Sequence, residues 1–136
     1  MSDHRTALAG AAESFVGTPF RFRGREPQTG LDCVGLVAAA LTKLGLPVRP
    51  LPAYSIRQQS FAAQLGCAAG AGFDDVTDTL APGDLLLVRP GPAQVHLGVV
   101  SSAGGLVHAH AGLGKVVVTP APLPWPIERH WRLRTD

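Results

Sequence analysis

Glycine and proline punctuate this chain, with 16 and 12 of its 136 residues. Together they make up about a fifth of the sequence, a density that predicts many turns and short elements rather than a helical bundle. The length suits one domain, residues 1–136, with a sizeable buried core. Hydrophobic residues are 46% and charged residues 16%, which excludes disorder driven by charge and low hydrophobicity.

Leu8, Ala11, Ala12, Phe15 and Val16 fall at helical spacing and predict a helix over 5–16, stopped by Gly17 and Pro19. Residues 18–30 read as a loop. The clearest helix spans 33–44, with Cys33, Leu36, Val37, Ala40, Leu41 and Leu44 on one stripe. Thr29 or Asp32 can cap its start, and Gly45 ends it. Residues 45–53 read as extended, 55–65 as a third helix, 66–72 as a loop and 79–83 as a turn. Strands are expected at 84–88, 95–101, 105–111, 115–119 and 129–133, with a turn at 89–93. Helices first and an antiparallel sheet second is the α+β pattern.

The net charge of +2 gives no argument for a nucleic-acid partner. Arg21, Arg23 and Arg25 alternate along an extended segment and read chiefly as a solvated face, though they could meet a carboxylate-bearing substrate. No apolar run approaches the length of a membrane span. The N-terminal segment carries Asp3 and Glu13 and lacks a basic start followed by an apolar block, so it reads as a helix rather than a secretory signal. The two cysteines, Cys33 and Cys67, could form one disulfide but neither a disulfide framework nor a CxxC zinc site.

Cys33 opens the strongest helix, in Gly30-Leu31-Asp32-Cys33-Val34-Gly35-Leu36-Val37. Unsatisfied N–H groups and a partial positive charge at a helix start stabilise a thiolate, so the expectation is a lowered thiol pKa and alkylation well below pH 8.5. The same N–H groups could receive an oxyanion. Gly35 leaves room for a substrate backbone or for close packing. The bland alternative is a buried cysteine acting as a small hydrophobe. Cys67, in a Gly/Ala loop, reads as filler.

A catalytic thiol needs a base, and the base needs a third group to orient it. Of five histidines, His96 and His108 lie on the two strands around Ser102-Ala103-Gly104, and His110 follows His108 by two. A three-residue loop pairs Ser101 with Gly105. That register sets Gly98 opposite His108 and His96 opposite His110, with all three rings on one face. Gly98 then removes a side chain that would block an inclined ring. Three histidines could instead bind zinc, but no acidic residue joins them in the segment. A structural histidine pair is the other alternative.

These residues resemble the NlpC/p60 cysteine peptidases. The resemblance rests on the Gly-x-Asp-Cys-x-Gly-Leu-Val helix start, the His-x-Gly-Val strand at His96 and the second histidine twelve positions on, at His108. Gly17-Thr18-Pro19-Phe20 is similar to the family's Gly-Thr-Pro-Tyr segment, and Ala81-Pro82-Gly83-Asp84-Leu85 to its Pro-Gly-Asp-Leu turn. It implies a papain-like α+β core, with N-terminal helices packed on an antiparallel sheet. It implies Cys33 as nucleophile, His96 as general base and His108, rather than His110, as orienter. No cofactor or metal is implied. Phe20 stands for the usual Tyr, Phe22 and Arg23 for a Trp-Gly pair, and Val34 for Ser. Phe20, Phe22, Asp32 and Val34 are therefore the expected substrate-side residues.

The substrate so implied is the peptidoglycan stem peptide, cut between D-glutamate and a diamino acid. The bare domain without an export signal resembles phage-type members, which implies synthesis in the cytoplasm and action from a virion or tail-like particle. Two other readings compete: an inactive cell-wall-binding tail component, and another thiol amidase or acyltransferase on the same fold. The Pro-rich segment 120–126 with Trp125 and Trp131 is either a docking surface for tail proteins or a closure of the core over the sheet.

Overall fold

A computed structural model describes residues 4–22, 24–46, 73–92 and 94–133. Helix α1 runs His4–Glu13 and buries Leu8, Ala9, Ala11 and Ala12. It ends before Val16. Ser14 Oγ donates to the Ala11 carbonyl (2.6 Å), and the amides of Phe15 and Val16 bond three residues back, so the chain tightens into a turn. Within the expected loop, strands β1 (Arg25–Glu26) and β2 (Gly30–Leu31) pair antiparallel.

Helix α2 runs Cys33–Lys43. Asp32 caps it from an extended conformation, its carboxylate accepting the Gly35 N–H at 2.8 Å. Gly45, at φ +75°, closes the other end while Leu46 N–H returns to the Leu41 carbonyl. Residues 34–41 are all buried, because α2 packs against both α1 and the sheet. The expected extended stretch beyond residue 46, the third helix at 55–65 and Cys67 lie outside the described residues.

The sheet has six antiparallel strands, one more than the sequence suggests: β3 (Phe73–Asp75), β4 (Leu85–Gly91), β5 (Gln94–Val100), β6 (Leu106–His110), β7 (Lys115–Thr119) and β8 (Ile127–Leu133). Their order across the sheet is β3-β8-β4-β5-β6-β7. The architecture is α+β, as expected. The additional strand, β3, is only three residues long, and two of them are aspartates. Pairing to β8 makes it a strand, with Asp75 held by Arg129 at 2.9 Å. Strand β4 also continues through the expected turn at residue 89. Pro90 has no N–H to give, and the register shifts between Val88 and Gly91 around it.

The sheet has two dry faces. Leu85, Leu87, Leu97, Val99, Val107, Ala109, Trp131 and Leu133 share a core with α1 and α2. On the opposite face Leu86, Val88, Val100 and Leu106 form a smaller cluster, closed by Leu80, Leu123 and Trp125. Trp131 is thus buried and Trp125 half-buried against the sheet. Of the two readings of the Pro-rich segment, closure of the core is the one the packing matches. Asp84 anchors the turn before β4. Its buried carboxylate takes the Ala81 N–H (3.0 Å), His130 Nε2 (2.6 Å) and two bonds from Arg132 (both 2.9 Å), tying turn to β8.

Candidate active site

The β5–β6 hairpin has the register that the three-residue loop requires. Gly98 lies opposite His108, Val99 opposite Val107 and Val100 opposite Leu106. Ser101 N–H and Oγ both engage Gly105, and Gly104 takes a φ of +90° at the loop. Period-2 alternation then sends Leu97 and Val99 toward the helices and the three histidine rings to the other face. The rings gather there. Centroids lie 5.7 Å apart for His96 and His108, 5.8 Å for His108 and His110, and 6.2 Å for His96 and His110.

Cys33 sits at the first position of α2, half-buried against the helix-side core. The backbone amide of Leu97, the residue after His96, is directed at its sulfur, as are the amides of Val34 and Cys33 itself. The paired stretch of β5 and β6 stops at Gly98 and His108, one residue short of Leu97. A strand's backbone N–H lies in the plane of its sheet, so the sulfur that the Leu97 amide meets sits at the level of β5, beyond the end of its pairing with β6 and between the helix-side core and the face that carries the His96 ring.

The charge balance differs from the sequence expectation. Burial of the sulfur, then the Asp32 carboxylate beside it, push the Cys33 thiol up to about 12, against the opposing pull of those three amides. The helix terminus does not yield a thiolate because burial of the sulfur, and then the anionic cap, outweigh its amides. Asp32 takes the Gly35 N–H and sets a negative charge next to sulfur. Burial, then His110, hold the His96 pKa below its usual value, and burial, then His96 and His110, push His108 down to about 4. At neutral pH the Cys33 thiol and the His96 and His108 imidazoles therefore rest neutral. Alkylation of Cys33 by iodoacetamide should then rise about tenfold per pH unit through pH 9. Mass spectrometry of the peptide holding residue 33 measures this. A rate that levels off below pH 7 would show a resting thiolate instead.

The expected substrate-side residues divide. Phe20 is half-buried against the core and Phe22 is 40% exposed. Asp32 and Val34 are buried, the first as the helix cap and the second in the core, so neither side chain offers a surface to a ligand. Gly35 serves close packing. A Cβ there would fall on the Gly24 carbonyl, which is how the loop before Cys33 closes onto α2. Gly98 likewise makes room first for the Leu106 side chain and the Val107 carbonyl, each 2.7 Å from a Cβ built there.

His108 is fully buried, and its Nε2 lies 2.8 Å from Thr119 Oγ1. His110 is engaged locally, its Nδ1 accepting the Leu113 N–H at 3.0 Å. Trp125 stands edge-on to His108 (5.3 Å) and His96 (6.2 Å). Neither Thr119 nor a histidine contact for Trp125 was legible in the sequence. The signal available for Thr119 was its register, diagonal to His108 on the neighbouring strand. Among the described residues no group of three His, Cys, Asp or Glu is arranged to hold a metal ion, and no helix is long and apolar enough to cross a membrane.

A sequence profile described as "NlpC/P60 family" matches residues 17–133. The chain belongs to the NlpC/P60 family. Members of the NlpC/P60 family are in general cysteine peptidases that hydrolyse peptidoglycan. Solved structures agree in fold. NlpC2 from Trichomonas vaginalis superposes with a TM-score of 0.71 at 16% identity, over 97% of this chain and 49% of that one. The NlpC/p60 domain of the peptidoglycan hydrolase SagA gives 0.61 at 22% identity, over 93% of this chain and 97% of that one. An NlpC/P60 family protein from Bacillus cereus gives 0.64 at 20% identity, over 96% and 40%. The chain thus spans less than half the length of the Trichomonas and Bacillus chains. No curated protein matches it in sequence.

Proposed function

We propose that this NlpC/P60 domain is a cysteine peptidase that hydrolyses peptidoglycan stem peptides at the amide between D-glutamate and a diamino acid. Cys33 is the nucleophile, His96 the general base and His108 the orienting residue. The observation that carries this reading is the Leu97 amide directed at the Cys33 sulfur, which joins the helix start to the strand bearing His96, itself stacked on His108.

The chemistry follows from the resting protonation. Neutral His96 takes the thiol proton as sulfur attacks the scissile carbonyl carbon, and the carbonyl electrons move to oxygen. The Val34 and Cys33 amides, directed at sulfur at rest, are positioned to follow the negative charge to that oxygen. The imidazolium then gives its proton to the leaving amine as the C–N bond breaks. Water, deprotonated by His96, hydrolyses the thioester and restores the thiol. Phe20 and Phe22, on the loop before Cys33, are the substrate contacts we retain.

Purified peptidoglycan incubated with the protein, followed by mass spectrometry of the soluble fragments, tests the reading. Fragments ending in D-glutamate with a free diamino acid amine are expected. Fragments cut at another amide would move the assignment to a different bond, and intact polymer would favour a wall-binding component. Delivery on a phage tail or tail-like particle rests on the resemblance to phage-type members. Immunoblotting of purified particles checks it.

A further inference from the structure

We propose that Thr119 is a positioning residue that fixes the tautomer of His108, leaving Nδ1 as the acceptor presented to His96. This rests on the reading of His96 as base.

A neutral imidazole has one N–H and one lone pair, and a buried ring must place both. The Nε2 of His108 lies 2.8 Å from Thr119 Oγ1, while its Nδ1 is buried with no hydrogen-bond partner among the described residues. A buried N–H without an acceptor is the costlier orphan, so the proton belongs on Nε2, where it is donated to the threonine hydroxyl. The Nδ1 lone pair, which lies in the ring plane, is left free on a ring whose centroid is 5.7 Å from that of His96, the two planes 29° from parallel. Burial, then His96 and His110, push the His108 pKa down to about 4, which keeps that lone pair free at neutral pH.

The need for such an acceptor arises during turnover. Once His96 holds the thiol proton, both of its nitrogens carry hydrogen. One serves the leaving amine. The other requires an acceptor in a dry place, and Nδ1 of His108 is buried there without a partner among the described residues. His110 is less suited, because its Nδ1 already accepts the Leu113 N–H. Trp125, edge-on to both rings, shields the pair from water. Thr119 is supplied by the last position of β7, opposite Leu106, which puts it on the same face as His108.

Thr119→Val keeps the shape and removes the hydroxyl, and Thr119→Ser restores it. Ring-nitrogen NMR on protein labelled at histidine should show His108 protonated on Nε2 in the wild type and in Thr119→Ser. In Thr119→Val it should shift toward the Nδ1–H form. On peptidoglycan, Thr119→Val should lower kcat about 10–100-fold with KM unchanged, and Thr119→Ser should recover most of it. An Nδ1–H tautomer in the wild type, or a Thr119→Val variant with the wild-type tautomer or the wild-type kcat, would overturn the proposal. The NMR result does not depend on turnover. Activity retained in a Cys33→Ser protein would instead overturn the catalytic reading while leaving the tautomer assignment standing.

Discussion

Cys33→Ser is expected to reduce peptidoglycan hydrolysis by at least about 10³-fold while leaving the fold intact. The serine hydroxyl is smaller than the thiol and can accept the amides of Leu97, Val34 and Cys33's own position that are directed at sulfur. Its proton is far harder to remove. In wild type the thiol already rests well above its usual pKa, because burial and Asp32 oppose the anion, so proton transfer to His96 must accompany attack. An alkoxide beside the same carboxylate would be more costly still. His96→Ala removes the acceptor for that proton and should produce a loss of similar size. Because the two residues act as one unit, the double variant should be no worse than either single one. Thermal unfolding of each variant separates lost chemistry from lost fold. Activity of Cys33→Ser within tenfold of wild type would assign the nucleophile elsewhere.

The hairpin shows why much of this site can be read before any coordinates. A short Gly-bearing loop fixes the register, the register fixes the face, and the face gathers His96, His108 and His110. The α2 start was legible for a similar reason, since Asp32 and Gly45 mark its ends by local chemistry alone. What escaped depends on partners distant in sequence. Strand β3 exists because β8 offers it an edge, and Trp125 meets the histidines only because the Pro-rich segment folds back over the second face. The thiol's resting state is hidden in the sequence because burial of the sulfur, the larger effect, depends on tertiary packing, and because a cap residue has two effects. Asp32 organises the helix start through Gly35, and the same charge opposes ionisation of the neighbouring sulfur.

Asp84→Ala should cost stability rather than chemistry, by about 3–5 kcal/mol. The Asp84 side chain is wholly buried, and Arg132, 16% exposed, gives it two hydrogen bonds of 2.9 Å. Removing the carboxylate leaves that guanidinium, among the described residues, with the exposed Asp78 (3.4 Å) and the Thr79 carbonyl (2.8 Å), and takes from His130 Nε2 the acceptor it has. It also frees the Ala81 N–H that holds the turn into β4. Burial works against the charged form of Asp84. The bonds from Arg132, His130 and Ala81 outweigh it and hold the pKa below the usual carboxylate value of 3.8. The sign of the pH dependence follows. A carboxylate with a depressed folded pKa lends stability that is present above its unfolded pKa and is lost as pH falls through the folded one. Wild type should therefore weaken below about pH 3.8, and Asp84→Asn should flatten that limb. Urea titrations at pH 7 and pH 3 measure both effects. A loss under about 1 kcal/mol for Asp84→Ala would mean the network behaves as a solvent-exposed ion pair.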